Sequence, residues 1–168
     1  MRIFKEEQRF NQTWLIVLML ISSLVPLALF INDYLKNPET YSVTELLLLL
    51  SILIFVGCFI FFIKLSTKID QHGIHYKFFP IHRSFKIIPW TEIEHIHVKT
   101  YDPISDYGGW GFKGGALWNR SKGQSITVSG DIGIQMILKN GKKLLIGTQQ
   151  QQAAERSIAY YKSKYQQL

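Results

Sequence analysis

The chain has 168 residues, a net charge of +7 and a pI near 9.5, a length that suits one ordinary domain with a smaller addition. Its single cysteine, Cys58, lies inside an apolar run, which excludes a disulfide framework and a cysteine-based metal site. The basic balance fits either nucleic acid or anionic lipid, so the position of the charges must distinguish the two.

The first part of the chain contains two long apolar runs without a charge, Trp14–Ile31 and Leu46–Ile63. At about 1.5 Å per residue, each run nearly spans a hydrocarbon core of about 30 Å. We therefore predict a transmembrane helical hairpin, with spans at about 14–31 and 46–63, in an N-terminal region 1–63. A buried soluble helix is the alternative for either run. A cleaved signal peptide is a second alternative for the first run, but no small-residue cleavage site follows it.

Basic residues flank the two runs on their outer sides. Arg2, Lys5 and Arg9 precede the first run, and Lys64 and Lys68 follow the second. The connection 32–45 holds one lysine against three acidic residues. The positive-inside rule then predicts a multi-pass membrane protein with both termini in the cytoplasm.

From Lys64 onward, β-branched and aromatic residues alternate with polar ones over short runs, which is typical of strands. Asn140-Gly141 is a strong hairpin-turn signal, because both residues tolerate positive φ. The predicted strands are Leu65–Asp70, Ile74–Phe79, Phe85–Pro89, Ile93–Tyr101, Gln124–Ser129, Ile132–Lys139 and Lys142–Thr148.

The tail, 149–168, is predicted to be an amphipathic helix. Its apolar residues recur at steps of four and three, which forms one stripe at the helical period. The stripe consists of Ala154, Ile158, Tyr161, Tyr165 and Leu168.

Three segments, "TKIDQHGIHYKFFP", "KIIPWTEIEHIHV" and "GIQMILKNGKKLLIGT", together with the tail helix, resemble the pleckstrin-homology-like (PH-like) module of bacterial membrane proteins. The middle segment carries the family's I-x-W-x-x-I pattern at Ile88, Trp90 and Ile93. The resemblance covers residues 64–168. It implies an α+β membrane protein in the bacterial cytoplasmic (inner) membrane, with a transmembrane hairpin before a cytosolic seven-stranded bent barrel. The terminal helix would cap that barrel and Trp90 would belong to its core.

The segment 106–123, "DYGGWGFKGGALWNRSKG", contains six glycines and two tryptophans. It matches G-x-G-x-x-G formally, but a dinucleotide site needs a following helix whose N-terminus meets the phosphates, and strand follows here. The alternatives are a loop packed on its own domain and a surface excursion that contacts the membrane or a partner. The candidate contact residues are Tyr107, Trp110, Phe112, Lys113, Trp118, Arg120 and Lys122.

No catalytic, cofactor or metal site is predicted. His95 and His97 share one face of a strand, but no third metal ligand is evident, so a polar outer face is the preferred interpretation. Asp102 and Asp106 fit capping and turn roles better than acid–base chemistry.

Residues 64–168 carry 15 basic against seven acidic residues. No nucleic-acid motif accompanies them, so the lipid bilayer is the nearest anionic surface. We expect a membrane-anchored, non-enzymatic binding or scaffolding module, such as an accessory subunit of a larger complex, whose partner is a membrane protein or a second copy. The alternatives are an anionic-lipid sensor and an enzyme with its site in the glycine-rich segment.

Overall fold

The computed structural model describes residues 4–37, 42–113 and 123–165. They form two compact units. One unit is the continuous segment Phe10–Ile63, and the other combines the strand before that segment with the chain from Lys64 onward.

The helical unit consists of α1 (Thr13–Lys36) and α2 (Val43–Phe62). A capping box begins α2: the Ser42 hydroxyl accepts from the Glu45 N–H at 3.2 Å, and the Glu45 carboxylate accepts from the Ser42 N–H at 2.9 Å. Both helices are long and apolar enough to cross a membrane. None of their residues is buried, unlike those of a soluble core helix. The prediction of two helices that could span a membrane is confirmed.

The first sheet is antiparallel, in the order β1-β2-β3-β4. Its strands are β1 (Phe4–Arg9), β2 (Lys64–Asp70), β3 (Gly73–Phe79) and β4 (Lys86–Pro89). Residues 1–9 are predicted from the sequence to belong with the hairpin, whereas the structure pairs β1 with β2 along its whole length. Alternate residues of β1 are buried, because one face of the strand meets the core.

The second sheet is mixed, in the order β5-β8-β9-β7-β6, with β7 and β9 parallel. Its strands are β5 (Ile93–Thr100), β6 (Gly111–Lys113), β7 (Gln124–Thr127), β8 (Ile132–Leu138) and β9 (Lys143–Gly147). The predicted hairpin turn is confirmed between β8 and β9, where Gly141 has φ +78° and the Asn140 side chain accepts from the Lys142 N–H at 3.0 Å.

The remaining elements are a 3-10 turn, Trp90–Glu92, a short helix α3 (Pro103–Tyr107) and the terminal helix α4 (Gln151–Tyr165). The predicted stripe of α4 is confirmed at Ala154, Ile158 and Tyr161, which are all buried. The helix contacts strands of both sheets, and Tyr161 stacks on the buried Trp90 at 5.7 Å between ring centroids. Trp90 is therefore a core residue, as predicted.

The structure confirms an α+β fold, but its described strands form two separate sheets and no closed barrel is seen among them. Besides the seven predicted strands, β1 and β6 appear. The finer prediction of a PH-like barrel stays a prediction.

Buried polar contacts tie β1 to the beginning of α4. The Glu6 carboxylate accepts from the Thr148 hydroxyl at 2.6 Å and from the Gln149 N–H at 2.7 Å. The Gln8 amide donates to the Gly147 carbonyl at 2.8 Å. Since Glu6 and Gln8 are both about 95% buried, β1 is an integral part of the domain.

Candidate binding site

The glycine-rich segment begins with α3. The Asp102 carboxylate accepts from the N–H groups of Ile104 at 2.9 Å and Ser105 at 3.0 Å, and Gly108 ends the helix in the left-handed conformation. The Asp106 carboxylate accepts from the Asp102 N–H at 3.2 Å. The capping role predicted for the two aspartates is confirmed.

Two aromatic residues of this segment contact the second sheet's end. Tyr107 is buried and lies edge-on to Tyr101 at 5.8 Å between centroids. Burial raises the pKa of Tyr107, with a smaller contribution from Asp106. The indole N–H of Trp110 donates to the Gly130 carbonyl at 2.8 Å. Both side chains are therefore held by their own domain.

Phe112 lies in β6 of the second sheet, and its ring contacts two aromatic rings from β3 and the connection that follows it. Its ring centroid is 6.0 Å from that of Phe78 and 5.4 Å from that of His82. Lys113, which follows it, is half-buried. The other three candidate contact residues, Trp118, Arg120 and Lys122, lie outside the described residues. The contact role of the segment stays a prediction.

A cavity of about 770 Å³ opens between the edge of the first sheet and the β8–β9 hairpin. Apolar groups of Ile88, Leu138 and Leu144 contribute to its wall, while polar groups come from the hairpin turn and β9. Its lining residues are Tyr76, Ile88, Gly123, Gln124, Leu138, Asn140, Gly141, Lys142, Lys143 and Leu144.

The polar groups in the described lining of this cavity are amides, a phenol and ammonium groups. No carboxylate, imidazole or thiol occurs among its described lining residues. Tyr76 is half-buried, and burial raises the pKa of its phenol, so it remains a neutral hydrogen-bonding group at physiological pH. Lys142 and Lys143 are exposed. The cavity therefore combines an apolar wall with donors and positive charge.

Gly123 shows why the chain can approach β9 at this cavity. It has φ +81°, and a Cβ at this position would lie 2.3 Å from the Lys143 carbonyl oxygen. A larger residue would displace the backbone there, so we infer that glycine is required by both conformation and space.

A second cleft, of about 270 Å³, lies where α3 meets β5, β8 and β9. His97 and Lys99 line it from β5, Gln135 from β8 and Lys143 from β9. The register places His95 opposite Ile137 and His97 opposite Gln135. Within the described ranges, no three His, Cys, Asp or Glu side chains come together as a metal site would require.

A cluster of polar groups surrounds the buried carboxylate of Asp70 and was not predicted from the sequence. This carboxylate accepts from the Lys68 ammonium at 2.7 Å, the His75 ring at 2.9 Å and the His72 N–H at 2.8 Å. Burial alone raises the pKa of Asp70, but the bonds from Lys68, His75 and the His72 N–H outweigh it and hold the pKa well below its usual range. The cluster fixes the β2–β3 turn, and the only sequence signal for it is an aspartate at the beginning of a turn.

Neither a scan against models of protein families nor a search of curated proteins finds a match for this chain. The roles assigned to its residues therefore depend on geometry.

Proposed function

We propose that this chain is a membrane-anchored, non-enzymatic binding or scaffolding module that serves as an accessory subunit of a larger membrane assembly. The observation that carries the proposal is the pairing of β1 with β2, the two strands that flank the apolar helices. Three residues separate β1 from α1, and one residue separates α2 from β2. Because both connections are short, the sheet domain stays within reach of the bilayer and of proteins embedded in it.

The cavity of about 770 Å³ is the proposed partner-binding site. Its apolar wall can hold an apolar side chain, and Lys142 and Lys143 at β9 complement an acidic group beside it. A segment of a membrane-protein partner that combines these two features matches the cavity. A second copy of this chain, which is basic overall, matches it less well.

The proposal extends to the domain family and the location. The two sheets, the terminal helix and the buried Trp90 support a PH-like domain. The basic residues on both outer sides of the helical hairpin support a multi-pass protein of the bacterial inner membrane with both termini in the cytoplasm.

Co-purification in mild detergent, followed by mass spectrometry, tests the binding function. The full chain is compared with Lys142→Glu at the cavity and with Lys162→Glu on the exposed side of α4, a matched change of charge. We expect Lys142→Glu to release a membrane-protein partner that the wild type and Lys162→Glu retain. Equal recovery from all three chains would remove the cavity as the binding site, and recovery of no stoichiometric partner would contradict the accessory-subunit role.

A further inference from the structure

The segment from the last residue of β3 to the beginning of β4 exposes an unusual amount of apolar surface. Among the described residues outside α1 and α2, six large apolar side chains are exposed, and four of them lie within nine positions. These are Phe79, Ile81, Phe85 and Ile87, which are 39–56% exposed. We call Phe79–Ile87 the apolar loop. Such a concentration of exposed apolar groups marks an interaction surface.

The apolar loop also carries positive charge. Arg83 and Lys86 are exposed within it, and Lys77 lies two residues before it. No acidic residue occurs between Asp70 and Glu92. Aromatic and aliphatic groups interleaved with basic ones are the composition that the interface of an anionic bilayer favours.

The conformation of the loop holds these side chains outward. The His82 N–H donates to the Phe78 carbonyl at 2.7 Å, and the His82 ring lies edge-on to Tyr76 and Phe112 at 5.5 and 5.4 Å. Burial, with a smaller contribution from Lys86, lowers the pKa of His82, which favours the neutral ring in this contact. With His82 turned inward, its neighbours Ile81 and Arg83 are exposed.

The register of the first sheet locates the base of the loop beside the strand ends that lead into α1 and α2. Phe79 pairs with Lys64, and Lys64 also pairs with Arg9 on its other side. Lys64 is the second residue after the end of α2, and Arg9 precedes the beginning of α1 by four positions. The apolar loop therefore leaves the sheet at the end where the chain enters both apolar helices, and Phe79 is about 5 Å across the ladder from Lys64.

We propose that the apolar loop inserts its exposed side chains into the interface of the same anionic bilayer that α1 and α2 span. Phe79, Ile81 and Phe85 enter the region between headgroups and acyl chains, while Arg83 and Lys86 contact lipid phosphates. This contact is a second attachment of the sheet domain, at a different place from the cavity between β4 and the β8–β9 hairpin. It rests on the helices spanning the bilayer and does not depend on a protein partner.

The test uses the full-length chain with Cys58→Ser, reconstituted in vesicles of phosphatidylcholine and phosphatidylglycerol. An environment-sensitive fluorophore is attached to Ile81→Cys, to Ile104→Cys as a matched control, and to Phe55→Cys in α2 as a lipid-exposed reference. Ile104 is an isoleucine of α3 that is 69% exposed. Quenching by brominated lipids and by aqueous iodide reports the position of each label.

We expect brominated lipids to quench the labels at 81 and 55 but not the label at 104, and iodide to quench only the label at 104. Arg83→Glu with Lys86→Glu should reduce lipid quenching at 81 and leave it unchanged at 55. If iodide quenched the label at position 81 as strongly as the label at position 104, while brominated lipids still quenched the label at position 55, the loop insertion would be overturned. The anchoring by α1 and α2 would remain intact. If neither quencher reached the label at position 81, the apolar loop would be in contact with protein and not with lipid. Absence of lipid quenching at 55 would overturn the anchoring and the insertion together.

Discussion

Removal of the apolar helices should leave a folded soluble domain only if β1 is retained. Arg9 and Lys64 are directly paired neighbours of an antiparallel ladder. A short turn around Asn-Gly can therefore replace Phe10–Ile63 and join β1 to β2 as a hairpin. We compare this joined chain with a fragment that begins at Lys64 and lacks β1. The joined chain should unfold cooperatively, whereas the fragment should be severely destabilised.

The contacts of β1 determine the expected difference. Phe4 is 4% exposed, and burial of a phenylalanine contributes about 1.5–3 kcal/mol. Loss of Glu6 removes the hydrogen bonds that its carboxylate accepts from the Thr148 hydroxyl and the Gln149 N–H, and a hydrogen bond to a carboxylate contributes roughly 1.5–3 kcal/mol. The sum is on the order of 5 kcal/mol, comparable with the whole stability of a small domain. At roughly 4–8 °C per kcal/mol, the melting temperature should fall by about 20 °C or more.

Circular dichroism during heating and urea titration measures both chains. In the joined chain, Phe4→Ser should reproduce the Phe4 share of the loss, about 1.5–3 kcal/mol. Lys5→Ser should not, because Lys5 lies on the exposed face of β1. If the fragment without β1 melted at the temperature of the joined chain, β1 would not be needed for the stability of the domain.

Three further predictions concern the core, the pH dependence and the topology. In the joined chain, Ile158→Asp should destabilise the domain by about 3 kcal/mol or more, since it places a charge at a buried position of α4, and an unchanged urea midpoint would show that the helix does not dock there. The ionised Asp70 carboxylate contributes to the free energy of unfolding at pH values above the pKa of the unfolded chain, near 3.9. This contribution is lost as the pH falls toward the lower pKa of the folded state. Asp70→Asn should therefore lower the free energy of unfolding by roughly 1–3 kcal/mol at pH 6. The urea midpoints of the variant and the wild type should lie closer together at pH 3. An equal difference between them at both pH values would exclude the ionised carboxylate as its cause. In the full chain with Cys58→Ser, an impermeant thiol reagent should label Asn37→Cys in intact cells and Lys164→Cys only after lysis, and the opposite pattern would place the sheet domain outside the cytoplasm.

The elements with a strong periodic signal could be predicted from the sequence. The two apolar helices follow from uncharged runs near the length of a span, and α4 follows from its apolar stripe at the helical period. Asn140-Gly141 indicated the position of the β8–β9 turn, because few residues other than glycine adopt the positive φ of Gly141. In each case a local pattern was sufficient.

β1 and the Asp70 cluster depend on distant partners and could not be predicted in this way. β1 alternates Phe4, Glu6 and Gln8 on its buried face, and two polar residues there conceal the apolar alternation that indicates a strand. Glu6 is satisfied by Thr148 and Gln149, which lie 142 and 143 positions away. Nothing near Glu6 in the sequence signals those donors.

β1 precedes the two helices in the chain and β2 follows them, so the first two strands of the sheet domain are joined through the helical segment. If β1 reached the sheet through a long flexible linker, a change in the separation of the two helix ends would have no effect on the strand pair. Instead, three residues on one side and one on the other connect the helices to paired strands. A change in the separation of the two helix ends would therefore act directly on the pair Arg9–Lys64 and, through the next ladder pair, on Phe79 at the base of the apolar loop. The first sheet thus connects the helical hairpin to the surface that we assign to lipid contact.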